Sequence, residues 1–435
     1  MNHTKKPTRK GEFPARAARL AALYGSLPWP GPLSPLSPVV RAAAFFAGQA
    51  RCAMLFVCLC AFCGVFLGSH TAEAAPMRVI YGFDREFPPF SYEEAGGKPA
   101  GFDVDLVKAV FAEADVTLAT RPLQWNMVPL ELSSGAITVT SGMVKTPQRD
   151  KLFLFSERAT FPLNIRLFTK VYRRFPGLSM FRGQTVAVEQ GTFAHRLLEG
   201  YGGVNIKTFD TPAEGLRALY HDEVAAYCGP MPNTYYYINK LNYGAITSVG
   251  SPLAIVPMRI AVNRSRGDVA RMVNEGLQRV VENGEYNRLF RKWFVRDLTN
   301  EELNIMVKSA AQGGIPAYVP YTQKGQGAAV LTATGKVFTG CTVENADNAQ
   351  TITAMQNAVA RAVGEGEFEI RAAVVVDAAG EVLTPTPSDL QALQEFGMGI
   401  LVILQAEKGQ YTTAMVAELH TTPVFREAIP FAAQE

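Results

Sequence analysis

Apolar residues cluster in short runs from Met77 onward, and the runs predict alternating elements. "MRVIYGF" (77–83) reads as a strand. "FPPFSY" (87–92) cannot continue it, because Pro88 and Pro89 offer no donors to a ladder. In "GFDVDLVKAVFAEADV" (101–116), Phe102, Leu106, Val110 and Ala114 recur every fourth residue. That spacing predicts an amphipathic helix, with Asp103 placed to cap its start. "TLATRPLQW" (117–125) and "AITVTSGMVKT" (136–146) read as strands again, and strand–helix–strand repetition predicts a mainly parallel sheet. "QTVAVEQGTFAHRLLEGY" (184–201) and "TPAEGLRALYHDEVAAYCG" (211–229) repeat the pattern. "DVARMVNEGLQRVVENGEYNRLFRKWF" (268–294) reads as a helix, a Gly break and a second short helix.

The character changes at Leu298. "LTNEELNIMVKSAAQ" (298–312) predicts a helix. "GAAVLTATGKVFTGCTVEN" (327–345) predicts a hairpin around a Thr-Gly turn. A further helix follows, then strand, loop and helix over 370–397, then one or two strands over 399–419. The link after Trp293 and Phe294 is so short that the two bodies should be mechanically coupled.

Charge changes the picture of the first 75 residues. They carry eight Lys/Arg and two Glu, so of 42 basic and 39 acidic residues 34 and 37 remain, a net of −3 for the rest. A mildly acidic body without a basic run argues against nucleic acid as a partner. "AMLFVCLCAFCGVFLG" (53–68) is an uncharged apolar run preceded by Arg41 and Arg51 and followed by "SHTAEAAP". It reads as a signal peptide within a 1–75 leader, short for a membrane span, with an uncleaved anchor as the alternative. Export to the periplasm or the extracellular space is the expectation. Cys52, Cys58, Cys60 and Cys63 belong to that leader, and Cys228 and Cys341 alone do not make a disulfide framework.

"FPPFSYEEAGGKPAGFDVDLVKAV", "SGMVKTPQRDKLFLFS", "GQTVAVEQGT", "DTPAEGLRAL" and "ENGEYNRLFRKWF" together resemble the bacterial extracellular solute-binding proteins that serve amino-acid uptake. The resemblance implies an α/β, two-lobed periplasmic-binding-protein type II fold over 76–296. Lobe one would span about 77–168 and 259–295, and lobe two about 172–256. Ligand would lie between the lobes, at the C-terminal ends of strands, and hinge closure would bury it. By the same resemblance, Phe87 and Trp125 match the aromatics that stack on the ligand, Asp84 matches an acid beside the first, and Arg149 matches the arginine that forks onto a carboxylate. Backbone amides near Gly142 and at Gln190, Gly191 and Thr192 would add donors. Plain core packing is the alternative for the two aromatics, and a surface ion pair with Asp150 for Arg149. Two positions depart from the pattern. Val144 replaces a hydroxyl residue, and Pro230 stands where lobe two usually offers an Asp to the ligand ammonium. A buried ammonium without a carboxylate is costly, which points to a small carboxylate-bearing solute and away from a standard α-amino acid.

"AYVPYTQKGQGAAVL", "GKVFTGCTVENA" and "TPTPSDLQALQEFG" resemble cytidine deaminases, over roughly 297–435. That resemblance implies a three-layer α/β/α domain. Its zinc ligands and proton-shuttling Glu would fall at Thr353, Met355, Thr386 and Asp389, and none of these is Cys, His or Glu. The stacking Phe becomes Lys324, and the ribose-binding Asn becomes Thr342, although Glu344 persists beside it. The expectation is therefore an exported solute-binding protein with a catalytically inactive rear domain, no metal and no cofactor. A membrane permease or sensor, and self-assembly through the rear domain, stand open as partners. Ligand recognition through Glu344 and Lys324 also stands open. The alternative is an enzyme: dehydratase- or hydrolase-like in the cleft, or a residual deaminase.

Overall fold

The computed structural model describes residues 77–171, 177–407 and 409–420. The leader, with its apolar run and four cysteines, lies outside the described residues.

Lobe one starts with β1 (Met77–Asp84), α1 (Phe102–Phe111), β2 (Val116–Leu123), α2 (Val128–Ser134) and β3 (Val139–Val144). β1 pairs in parallel with both β2 and β3, and crossover helices make that geometry possible. Helix α1 is shorter than the spacing suggested, and Asp103 does not cap it. Gly101 is the capping residue, with no side-chain bond, while Asp103 is wholly buried beneath the sheet end. After α3 (Pro147–Leu152), the long strand β4 (Phe161–Lys170) crosses to lobe two. There β5 (Thr185–Glu189), α4 (Phe193–Tyr201), β6 (Asn205–Phe209), α5 (Pro212–Tyr220), β7 (Ala226–Pro230) and α6 (Met231–Lys240) repeat the scheme. Strand β8 (Ile246–Asn263) returns to lobe one.

All these strands lie in one nine-stranded sheet of path β6-β5-β7-β4-β8-β3-β1-β2, with Phe153–Phe155 added on β8. The sheet is not mainly parallel throughout. Each lobe has its parallel pairs, but β4 and β8 run out and back, so they pair antiparallel with each other and with β7 and β3. Two crossing strands of opposite sense form the joint between the lobes.

Helices α7 (Gly267–Glu282) and α8 (Glu285–Phe294) close lobe one. Phe294 of α8 meets Phe161 and Phe102 with ring centroids 4.8 and 5.1 Å apart. Such pairs add about 0.5–1.5 kcal/mol each beyond area burial.

The rear domain begins with α9 (Asn300–Gly314), whose start is fixed by a reciprocal Thr299–Glu302 capping box. β9 (Gln326–Thr332) and β10 (Val337–Cys341) form the hairpin. α10 (Ala354–Gly364), β11 (Ile370–Asp377), α11 (Pro387–Gln394), β12 (Leu401–Glu407) and β13 (Gln410–Met415) complete a sheet of path β10-β9-β11-β12-β13. Alternation sorts its two faces. Ala329, Leu331, Ala372 and Val374 share a cluster with Met306 and Ala310 of α9. Ala328, Val330, Ala373 and Val375 share another with Ala358 of α10 and Leu393 of α11. Helices therefore cover both faces, in three layers. Gly340 lets α10 approach, since a Cβ there would lie 2.4 Å from the Ala354 carbonyl oxygen.

The rear domain packs on the lobes. The apolar cluster under α9 runs on into Phe290 of α8. A Cβ on Gly399 would lie 2.7 Å from the Phe290 ring. Arg291 Nη2 donates to Thr413 Oγ1 (3.3 Å), and Ser248 Oγ on the returning strand donates to Glu369 Oε1 (3.2 Å).

Candidate functional site

Eight of the expected residues line one cleft between the lobes: Asp84, Phe87, Trp125, Gly142, Val144, Arg149, Thr192 and Pro230. The lobes are drawn together over it. Trp125 Nε1 donates to the Gly191 carbonyl (3.3 Å), Asn233 Nδ2 to the Pro88 carbonyl (2.9 Å) and the Tyr237 hydroxyl to the Glu86 carbonyl (3.1 Å). The enclosed free volume is about 40 Å³, far below the roughly 300 Å³ of small ligand pockets. A solute could enter only after the lobes part.

Arg149 is held by α3, where its amide donates to the Thr146 hydroxyl at the helix cap (3.2 Å). Its Nη1 donates to the Val144 carbonyl (3.1 Å), and its guanidinium lies 5.3 Å from the centre of the Trp125 ring. Only 5% of the residue is exposed, and burial, then Arg196, lowers its pKa to about 9. Asp150 pairs with Lys145 (3.0 Å) instead. Among the described residues no carboxylate pairs with Arg149.

Asp84 ends β1, where its Oδ1 accepts from the Glu86 amide (3.0 Å). Burial, with a further push from Glu86, raises its pKa to about 7 despite that hydrogen bond. Phe87 stacks on Phe90 at 4.8 Å between centroids. Gly142 sits at φ +68, a left-handed backbone that favours glycine, and a Cβ there would press on Asp103 Oδ2 at 3.1 Å and touch Phe87 at 3.6 Å. Asp103 carries no hydrogen bond to either oxygen among the described residues, and burial pushes it up to about 7.

Two expected donors are taken elsewhere. The Gln190 amide donates to the Phe209 carbonyl (2.8 Å) and the Gly191 amide to His195 Nδ1 (3.3 Å). Neither residue lines the cleft, and Gly191 contributes its carbonyl to Trp125 instead. Glu189 was not anticipated. It ends β5, lines the cleft and is 8% exposed. Burial, then the charges of Asp84 and Glu86, raises it well above the carboxylate range. Its place at the C-terminal end of a strand, just before "QGT", was the available signal. Lobe two thus has a carboxylate in the cleft, although Pro230 offers none.

The second expected site is closed. Thr353 caps α10 in a reciprocal box with Gln356, and Thr386 caps α11 in another with Asp389. Thr353 Oγ1 donates to Asp389 Oδ1 (2.6 Å), while the Thr386 amide and hydroxyl both donate to Asp389 Oδ2 (3.0 and 2.7 Å). Asp389 is 2% exposed. Met355 is completely buried in the apolar layer under α10. These residues do not fit zinc: hydroxyls are poor ligands, and both carboxylate oxygens are committed. Among the described residues no group of three or more His, Cys, Asp or Glu could hold a metal ion. Glu344 accepts from the Tyr321 amide (2.9 Å), the Thr322 amide (3.2 Å) and the Thr322 hydroxyl, which keep its pKa low. It fastens that loop, and Lys324 is exposed. The carboxylate is thus already engaged within its own loop.

The family model described as bacterial extracellular solute-binding proteins, family 3, matches residues 79–296, and one described as cytidine deaminase-like matches 318–409. The probable amino-acid-binding protein YxeM of Bacillus subtilis is 25% identical over 220 residues, 49% of this chain and 83% of that protein. The putative ABC transporter arginine-binding protein 2 of Escherichia coli is 21% identical over 234 residues, 52% of this chain and 95% of that protein. Among solved structures, a histidine kinase sensor domain with similarity to periplasmic binding proteins is 25% identical at a TM-score of 0.49, covering 51% of this chain and 98% of its own. No described helix is long and apolar enough to cross a membrane.

Proposed function

The chain belongs to the bacterial extracellular solute-binding proteins of family 3, and from that premise we propose that its two lobes capture a small amino-acid-like solute outside the cytoplasm, for uptake or sensing. The observation that carries this is the unpaired, buried Arg149 guanidinium facing a cleft that also holds Asp84 and Glu189. A desolvated cation without a counter-charge is costly, and a planar fork of donors suits a carboxylate. Asp84 and Glu189 would take the solute's ammonium, so the expectation against an α-amino acid gives way. Relatives named for arginine or for amino acids in general agree with that class. A permease of the ABC type or a membrane sensor would act on the closed, loaded form. Isothermal titration of the protein with single L-amino acids and with simple carboxylates tests this. One-to-one binding of an amino acid without turnover is expected. Binding of none of them, or release of a product, overturns it.

The rear domain serves assembly or partner recognition rather than deamination. The Thr353–Asp389–Thr386 ring supports this, because it fills the metal position with satisfied hydrogen bonds. Sedimentation of the protein with and without residues 298–435 tests an assembly role. Ammonia released from cytidine, or stoichiometric zinc, would refute the loss of catalysis.

A further inference from the structure

The rear domain holds the two lobes by unlike means. On lobe one it is anchored. The chain passes from α8 into α9 within a few residues, the apolar cluster under α9 continues into Phe290, and the Gly399 backbone lies close against that ring. Arg291 adds its hydrogen bond to Thr413. A body tied by a short link and a continuous apolar layer moves with its support.

On lobe two the contact is polar. Ser248 Oγ accepts from Arg166 Nη1 (3.3 Å) and from the Tyr235 hydroxyl (3.1 Å), and donates to Glu369 Oε1 of the rear domain (3.2 Å). The Arg166 guanidinium lies 5.4 Å from the centre of the Phe368 ring. All three lobe residues are fixed in lobe two. Arg166 pairs with Gly229 of β7, Ser248 pairs with Phe168 of β4, and Tyr235 stands on α6. A cleft of about 680 Å³ opens beside them, between segments 247–251 and 364–369, so the contact is bounded by open space.

Both attachments cannot survive a change in the angle between the lobes. A rear domain that rides with lobe one is carried away from lobe two when the cleft opens, and hydrogen bonds of this length are lost within about half an ångström. We propose that Phe368 and Glu369 form a latch, which seats on Arg166 and Ser248 in the closed arrangement and thereby biases the lobes toward closure. The latch residues do not line the solute cleft. They set solute affinity through the lobe equilibrium, without touching solute. That consequence rests on the capture reading given above, whereas the latch itself does not.

The test is fluorine NMR of the free full-length protein labelled with fluorotryptophan, which needs no solute and so stands apart from the capture reading. Trp125, whose indole N–H donates to Gly191 across the cleft, reports the lobe angle. Trp293, bonded to Asp105 within lobe one, is the internal reference. Trp125→Phe assigns the first signal, and Asn233→Ala with Tyr237→Phe, which removes two bonds across the cleft, marks its open position. Glu369→Ala should move the Trp125 signal toward that position, raising the open-to-closed ratio about tenfold, with Trp293 unmoved. Arg166→Met combined with Glu369→Leu repeats the test without leaving a lone buried charge, should the single change prevent folding. An unaltered protein whose Trp125 signal coincides with the open marker, a Trp125 signal unmoved by both latch variants, or an equal shift of Trp293 would each overturn the proposal.

Discussion

Arg149 and Asp389 are both charged, both enclosed, and both seated in the first turns of short helices. Their surroundings differ in kind. Arg149 spends one donor on a backbone carbonyl, and among the described residues no carboxylate is paired with it. Asp389 has each oxygen bonded, by two threonine hydroxyls and an amide. Folding alone does not favour an unpaired buried cation, so its retention points to a binding partner from outside the chain. A buried anion whose hydrogen bonds are complete needs no outside partner. The two pockets are thus distinguished by what each leaves unsatisfied.

The strongest break of this contrast is Arg149→Leu. It should weaken solute capture by about 3 kcal/mol, roughly a hundredfold or more, as read by calorimetry with an amino acid that binds the unaltered protein. The free protein should melt no lower, and higher if the unpaired charge is a burden. Arg149→Lys should recover only part of the binding, because a point charge lacks the fork. Unchanged affinity in Arg149→Leu would remove the basis for the cleft as described.

Asp389→Ala should behave in the opposite way. It removes the carboxylate half of the α11 capping box and leaves two threonine hydroxyls and the Thr386 amide without that acceptor, at a cost of about 2–3 kcal/mol. Denaturant unfolding should show that loss, while solute affinity in the cleft stays within about twofold. A variant that unfolds normally would mean the ring is not structural, and the rear pocket would again be open to a ligand role.

Much of the architecture was legible because period and punctuation agreed. The fourth-residue apolar spacing of α1, the Thr-Gly turn of the hairpin and the Thr-x-x-Glu start of α9 each specify a local structure without help from the rest of the chain. What sequence alone missed depends on distant partners. Asp103 has the right residue type for a cap, but packing against the Gly142 segment placed it inside the sheet end. Gln190 and Gly191 stand in the right motif, yet their amides are claimed by Phe209 and His195. Glu189 stands outside the motif position held by Pro230, where lobe two usually offers its carboxylate. The structure shows that the adjacent strand end supplies one. The Asp389 ring was illegible for the same reason, since Thr353 and Asp389 are 36 residues apart.

Glu189→Gln sharpens the cleft side of the comparison. If this carboxylate meets the solute ammonium, its loss should weaken an amino acid about tenfold, the scale of one charge-assisted hydrogen bond. A carboxylate lacking the amino group should bind the variant as well as the unaltered protein, or better. Equal weakening of both solutes would assign Glu189 to cleft geometry rather than to the ammonium.

The smallest expected effect is with pH, and its sign is the informative part. Asp84 and Asp103 are raised to about 7 in the folded protein and Glu189 is raised too, against about 4 when unfolded. Between about pH 4 and 7 the folded chain therefore holds protons that the unfolded chain has released. Their contribution to stability is full below pH 4 and is lost as pH rises through 7. Glu302, held to about 2 first by the Thr299 amide and then by Arg371, works in the other direction, but only as pH falls below 4. The window from pH 5 to 8 thus reports mainly on the buried acids, and the free protein should melt progressively lower across it. Solute affinity should move the opposite way, rising severalfold over the same interval, because an ammonium gains most from ionised Asp84 and Glu189. The melting increment given by saturating solute should accordingly be larger at pH 8 than at pH 5. Asp84→Asn should flatten both trends. An affinity that falls with rising pH would mean that the cleft acids repel the captured molecule, and the ammonium assignment would fail while the Arg149 contact stood.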